Sequence, residues 1–292
     1  MTKRILITGG SGYIGSALSR HLYFLNKEIT IVDLKEPDRR YISNFNQIRY
    51  QDISEKDVSK FDVVIHLAAH ADVKSSIQDP RGAFYNNVVG FHDFLEKIDQ
   101  DQLLIYASSA SIYNGSKKTK TNEEWIKFNP GNMYDFSKYT NDILAKFSNK
   151  KTVGLRFGTV NGPSPNMRWD LVVNKMTHDA TKNKKLFVSN GHINRSILGI
   201  DDLNRAIETI IYSNQKNNLK YYNISSFNIT IIQIAENVKS ITGAEIVTLP
   251  DSSAYDFRMC VKNFCKDFSF HFTNTHQSII TDLLPVVPNY AE

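Results

Sequence analysis

The first half of the chain alternates short apolar runs with segments whose apolar positions recur at helical spacing. Arg4–Thr8 is of strand length, with Ile5, Leu6 and Ile7 in succession, and predicts a buried strand. Residues 15–26 follow with Ala17, Leu18, His21, Leu22 and Leu25 on one face, a helix pattern. Residues 28–34, rich in β-branched side chains, and the uninterrupted apolar run at 61–68 predict two more strands. A helix is expected over 86–98, a strand over 102–108, a helix over 135–149 and a strand over 152–157. Strands that are apolar throughout, rather than alternating, are those covered by helices on both faces. The reading is therefore α/β, with a doubly wound parallel sheet.

The pattern loosens after residue 157. The stretch 158–166 carries Gly, Pro and Asn and predicts a loop. Helices are expected over 171–181, 201–213 and 229–242, the last stopped by Gly243. Strands are expected near 186–195 and 221–225. This organisation predicts a nucleotide-type domain over 1–160, with returns of the chain near 196–227. A smaller, mixed and discontinuous C-terminal substrate-binding domain is expected over most of 161–292.

With 292 residues the chain has room for that arrangement. Hydrophobic residues make up 41% and charged residues 22%, which excludes a disordered chain. The net charge of +5 is spread out, and its densest stretch is only Lys182, Lys184 and Lys185. That falls short of a basic block, so no nucleic-acid partner is expected. No apolar run reaches the roughly 18 residues of a membrane span. The apolar stretch after Lys3 and Arg4 stops after three residues, short of the roughly 7–15 of a secretory leader. A cytoplasmic protein without a membrane partner is the expectation. Cys260 and Cys265 lack further soft ligands, so no metal site is expected.

The first strand runs into Gly9-Gly-Ser-Gly12-Tyr13-Ile14-Gly15, which opens the first helix. Gly9 allows a tight turn, Gly12 leaves room for a pyrophosphate, and Gly15 lets helix and strand approach. The helix N-terminus offers unpaired N–H groups and partial positive charge to phosphate. Asp33 ends the second strand, 18 residues beyond Gly15. A carboxylate there accepts hydrogen bonds from the adenosine ribose and repels a 2′-phosphate. NAD is thus expected over NADP, although Lys35, Arg39 and Arg40 lie close by.

Tyr134 and Lys138 stand at i and i+4 of a predicted helix, on one face. Tyrosine, with a reference pKa of about 10, is a poor base near neutrality. A nearby ammonium favours the phenolate and makes the pair a usable acid/base. Taken alone, the spacing is equally that of an ordinary amphipathic pair. Ser108 and Ser109 follow the strand that ends near Ala107, at the sheet edge where such folds bind ligands. Ser109 can there donate to the same substrate oxygen as Tyr134, or merely cap its loop.

Together these residues resemble the extended short-chain dehydrogenase/reductase superfamily, in its nucleotide-sugar epimerase, dehydratase and reductase branch. The likeness runs through Thr8–Gly15, Asp33, Asp52 with Ile53, His66-Leu-Ala-Ala69, Asn87-Val-Val-Gly90 and Ser108-Ser109. It continues through Tyr134 with Lys138, the run from Arg156 to Pro163, the run from Arg195 to Asp202, and Asp256-Phe-Arg258. The resemblance implies a Rossmann domain with Asp52 and Ile53 flanking adenine and Leu67, Ala68 and Ala69 lining the cofactor. Asn87 would sit behind the active site, on the cofactor side. Asn174, Arg195 and Arg258 would hold a nucleotide-diphosphate sugar, the arginines meeting its diphosphate through their forked donors. Ser109, Tyr134 and Lys138 would be catalytic. A homodimer through helices 86–98 and 135–149 is also implied.

Two departures narrow the chemistry. Sugar-nucleotide 4,6-dehydratases carry an Asp-Glu pair after the catalytic hydroxyl, where this chain has Ala110 and Ser111. Dehydration needs an acid and a base, so it is disfavoured. The fucose-synthase type has Cys at the position of Ala110, which disfavours 3,5-epimerisation. The expectation is hydride transfer at C4 of an NDP-hexose or NDP-heptose, in making sugars for surface polysaccharides. A stand-alone 4-keto-sugar reductase or 4-dehydrogenase is the alternative. A non-catalytic dinucleotide-binding scaffold is the alternative of another class.

Overall fold

The structure is a computed structural model and describes residues 3–114, 116, 120–125, 128–213 and 220–288. Its centre is a seven-stranded parallel sheet: β1 (Arg4–Thr8), β2 (Glu28–Val32), β3 (Asn44–Asn46), β4 (Val63–His66), β5 (Leu103–Ser109), β6 (Lys151–Phe157) and β7 (Tyr221–Ile224). The spatial order is β7-β6-β5-β4-β1-β2-β3, so the chain winds outward from β1 in both directions. This is the doubly wound Rossmann arrangement, whose strand order reverses beside β1.

Both sheet faces are covered, which explains why the strands read as continuous apolar runs. Ile5 and Ile7 enter a core with helices Tyr13–Phe24 and Ile200–Tyr212. Leu6, between them, enters the opposite core with Val64, Phe91, Phe94 and Leu104. A third core, around Val173, Leu186, Ile197, Ile234, Val238 and Ile280, holds the C-terminal part together. Small sheets accompany it: Asn194–Gly199 pairs with Thr159–Asn161 and Phe227–Thr230, and Lys185–Val188 pairs with Glu245–Thr248. Among the described residues, no helix is long and apolar enough to cross a membrane, and no group of three or more His, Cys, Asp or Glu could hold a metal ion.

The expected elements differ from the observed ones in three instructive places. The helix expected over 86–98 is two pieces, a widened π-turn at Tyr85–Val89 and the helix Gly90–Glu96, and the short helix Pro80–Phe84 leads into them. The helix passes close to Tyr50 at Gly90, where a Cβ would fall 2.5 Å from the Tyr50 hydroxyl. The strand Asn44–Asn46 has no apolar pattern to betray it, being an edge strand held by backbone pairing with β2. The expected loop at 158–166 contains the short strand Thr159–Asn161. Elsewhere boundaries move by a few residues. Helix Met133–Phe147 starts two residues early because the Asn132 side chain caps it, accepting from the Asp135 N–H at 2.9 Å.

Candidate active site

The C-terminal ends of β1, β2, β4, β5 and β6 share one sheet edge, where a cleft of about 440 Å³ opens. Gly9, Gly12, Tyr13, Ile14 and Gly15 line it. Gly9 has φ +75°, and a Cβ there would lie 2.6 Å from the backbone nitrogen of Ala68. At Gly15 a Cβ would lie 2.3 Å from the carbonyl oxygen of Gly9. Gly12, at the N-cap, contributes no side-chain hydrogen bond to the first turn. The uncapped N–H groups and the bare loop fit a pyrophosphate.

Asp33 is not among the residues that line the cleft but touches the glycine loop. Its Oδ2 accepts from the Ser11 N–H at 2.9 Å and its Oδ1 from the Lys35 N–H at 3.0 Å. The carboxylate is thus fixed beside the glycine loop, with lone pairs left for a ribose. The neighbouring arginines are engaged with acids on their own turn: Arg39 with Glu36 at 3.0 Å and Arg40 with Asp38 at 2.6 Å. Neither needs a 2′-phosphate to balance it.

Ser109 ends β5, and Tyr134 and Lys138 occupy the first two turns of helix Met133–Phe147. All three line the cleft. Lys138 is 5% exposed, donates to the Ala107 carbonyl at 2.8 Å, and has Nζ 5.8 Å from the centre of the Tyr134 ring. Burial lowers its pKa to about 8, partly opposed by the Asp142 carboxylate. Burial pushes the Tyr134 phenol up, while the neighbouring Ser109 hydroxyl and the Arg168 charge pull it down. The net direction is upward, opposite to the expected pull of the ammonium: desolvation outweighs the attractive charges in the bare cleft. Ser109 also accepts from the Ser111 N–H at 3.1 Å and donates to the Ser111 hydroxyl at 3.0 Å.

A buried network fixes this helix to the sheet. Asp142, one turn beyond Lys138, accepts from Arg156 Nε at 2.7 Å and from the Tyr106 hydroxyl at 3.1 Å. Arg156 also donates to the Tyr113 hydroxyl, which donates to Asn223. Arg156 and Asp142 are essentially unexposed, so each charge depends on the other.

The remaining expected residues divide. Leu67 and Ala69 line the cleft; Ala68 instead packs its backbone against Gly9. Arg195 lines the cleft, donates to the Tyr255 carbonyl, and also borders a second cavity of about 300 Å³. Arg258 is not among the cleft residues: it lies on a short strand paired with Lys120–Thr121, its Nε buried without a partner. Asp52 is exposed on a 3-10 turn and Ile53 is buried in the core, so neither lines the cleft. Asn87 is buried and supports the neighbouring loop. Its amide accepts from the His70 N–H at 2.8 Å and donates to the His70 carbonyl and Ser137, clamping the loop after β4. Asn174 likewise braces the loops around it. It is 0% exposed, accepting from the Gly162 N–H and donating to the Arg168 carbonyl and the Tyr13 hydroxyl.

Asp72, Arg168, Asp170 and Tyr255 line the cleft without having been expected there. The Tyr255 hydroxyl donates to Asp135 at 2.9 Å, whose carboxyl is pushed up by burial.

A model of the NAD-dependent epimerase/dehydratase family matches residues 5–225. The chain belongs to that family. Its cofactor is NAD, and the likeness to the nucleotide-sugar branch of the extended short-chain dehydrogenases/reductases holds. Protein CapI of Staphylococcus aureus is 34% identical over 234 residues, 71% of this chain and 69% of that one. Among solved structures, TunA, described as an NAD-dependent NDP-hexosamine 5,6-dehydratase, aligns with TM-score 0.85 at 22% identity, covering 97% of each chain. The UDP-glucuronic acid 4-epimerase of Bacillus cereus aligns with TM-score 0.84 at 22% identity, covering 97% of this chain and 98% of its own. At such identities the structural likeness speaks for the fold alone.

Proposed function

We propose that this enzyme epimerises a nucleotide-diphosphate hexose or heptose at C4. The observation that carries the reading is the convergence of Ser109, Tyr134 and Lys138 on the same cleft as the uncapped glycine loop, with Lys138 Nζ 5.8 Å from the centre of the Tyr134 ring. Arg195 stands where the cleft meets the second cavity, suited to a diphosphate. That cavity, with the half-exposed Phe187 ring and Asn190 in its wall, has the apolar face and polar edge a nucleoside base needs.

NAD, when bound, supplies a hydride acceptor beside C4 and the positive charge that favours a phenolate. Ser109 holds O4. Tyr134 takes the O4 proton as the C4 hydrogen leaves with its electron pair, and returns that proton when the hydride comes back on the other face. Lys138 keeps the phenol oriented and offers its ammonium to ribose hydroxyls. With Ala110 and Ser111 after Ser109, no acid stands there to expel water from the sugar. A homodimer is part of the proposal: Ile77, Tyr85, Phe136 and Phe147, all exposed and on the helices bordering the site, are the apolar surface it would cover.

The test is incubation with a panel of NDP-sugars and NDP-4-keto-sugars, with products separated and absorbance of NADH followed. A C4 epimer without net cofactor consumption is expected. Stoichiometric NADH consumption would make the enzyme a reductase, and a product lighter by one water would make it a dehydratase.

A further inference from the structure

A buried carboxyl stands beside the reacting tyrosine and has no part in the chemistry above. Asp135 follows Tyr134 in the first turn of helix Met133–Phe147 and is 1% exposed. Its Oδ2 accepts from the Tyr255 hydroxyl at 2.9 Å and from the Asn132 amide at 2.9 Å. Its Oδ1 is buried without a hydrogen-bond partner. Tyr255 comes from the segment between Thr248 and Arg258, lines the cleft, and accepts in turn from Asn132 at 2.7 Å. Burial works against the carboxylate form. The two donors and the N-terminal end of the helix favour it.

Other charges reach Tyr134 from around the cleft. Lys138 lies one turn on, with Nζ 5.8 Å from the ring centre. Arg168 and Asp170 enter as an ion pair from the loop before helix Val172–Asn183, Asp72 from the cap of helix Val73–Gln78, and Arg195 from strand Asn194–Gly199. The Tyr255 phenol is within electrostatic reach as well. These five charged side chains sum to three positive charges against two negative, a balance that favours the phenolate. NAD, when bound, adds its positive nicotinamide ring. A group that must both take and return a proton works best with a pKa near the operating pH. The Asp135 charge tightens the hold of the phenol on its proton, as Asp72 does, while Arg168 and the Ser109 hydroxyl loosen it.

Resting on the reading of Tyr134 as the group that takes and returns the O4 proton, we propose that Asp135 is its positioning residue: the buried carboxylate offsets the cations at the phenol, so that the proton taken is given back. Asn132 and Tyr255 fix the carboxylate in place. The Tyr255 carbonyl accepts from Arg195, so the residue that seats this charge also seats the arginine suited to a diphosphate. One carboxylate at this range changes the ionisation constant of the phenol by about tenfold, or about one pH unit.

The experiment reads the phenol itself. Tyrosinate absorbance of the NAD-free protein is titrated against pH, and the same titration of Tyr134→Phe is subtracted. The pair is repeated in Asp135→Asn, an isosteric change whose side-chain carbonyl can still accept from Tyr255 and Asn132. Loss of the charge should let Tyr134 ionise about one pH unit lower. With NAD and an accepted NDP-sugar, the acid limb of kcat/KM should move down by the same amount. Tyr255→Phe removes a donor and keeps the charge, so it should leave the Tyr134 midpoint in place or raise it. A midpoint unchanged or higher in Asp135→Asn overturns the inference. So does a midpoint lowered in Tyr255→Phe, which would make the contact a structural tie alone. The titration needs no substrate: failure to turn over any NDP-sugar refutes the proposed function, while the ionisation shift decides the role of Asp135.

Discussion

Replacing Lys138 by methionine should make the protein more stable while silencing it. The ammonium is 5% exposed, and its pKa falls from 10.5 to about 8. That fall corresponds to about 3 kcal/mol against the charged form. Methionine fills similar space without charge. It forfeits the hydrogen bond to the Ala107 carbonyl, about 1 kcal/mol or somewhat more. The net gain at pH 7 is therefore about 2 kcal/mol, or about 5 °C in Tm. Its pH dependence follows from linkage. Below pH 8 both states carry the proton and the full penalty is present. Between pH 8 and 10.5 the folded lysine loses its proton before the unfolded one, so the unaltered protein gains relative to Lys138→Met. Above 10.5 the electrostatic advantage of methionine is gone. The assay is urea unfolding of both proteins without NAD at several pH values from 7 to 10.5. A variant less stable at pH 7, or a difference that does not change with pH, would refute the claim that burial sets this lysine's state.

Three other substitutions probe separate links of the argument. Tyr134→Phe should lower turnover by about 10²–10⁴ with little change in NAD binding, measured by kinetics and NAD titration on a confirmed substrate. Near-normal turnover would remove Tyr134 from the chemistry. Asp33→Ala should narrow the preference for NAD over NADP, measured by paired binding constants; unaltered protein that binds NADP equally well contradicts the ribose role. Asp142→Asn leaves Arg156 without its buried counter-charge and should cost about 3–5 kcal/mol in urea unfolding, with a loss under 1 kcal/mol counting against the network.

The alternation of β1, β2, β4, β5 and β6 with helices was legible because each of those strands is largely buried and each early helix shows one apolar stripe. The glycine loop was legible because it requires residues without a Cβ at fixed spacing, and the structure shows what a Cβ would strike at Gly9 and Gly15. For Asn174 and Asn87 the structure adds what the sequence could not: both amides bond to neighbouring loops. A polar residue in a family motif can serve the loop that carries the site as readily as the ligand, and sequence does not show where an amide's hydrogen bonds go. Asp72 escaped notice because it reads locally as a helix cap, which it also is. Its position facing Arg168 and Tyr134 arises from a fold that brings residues 72, 134 and 168 to one cleft.

The central claim is that hydride leaves and returns at C4 under Tyr134. Its most direct measurement uses an accepted NDP-sugar carrying deuterium at C4, turned over with catalytic NAD and analysed by NMR and mass spectrometry. The account predicts that the epimerised product retains the deuterium at C4, with a primary isotope effect on a chemistry-limited turnover. Deuterium lost to solvent, or an epimer formed at another carbon with C4 untouched, would contradict it.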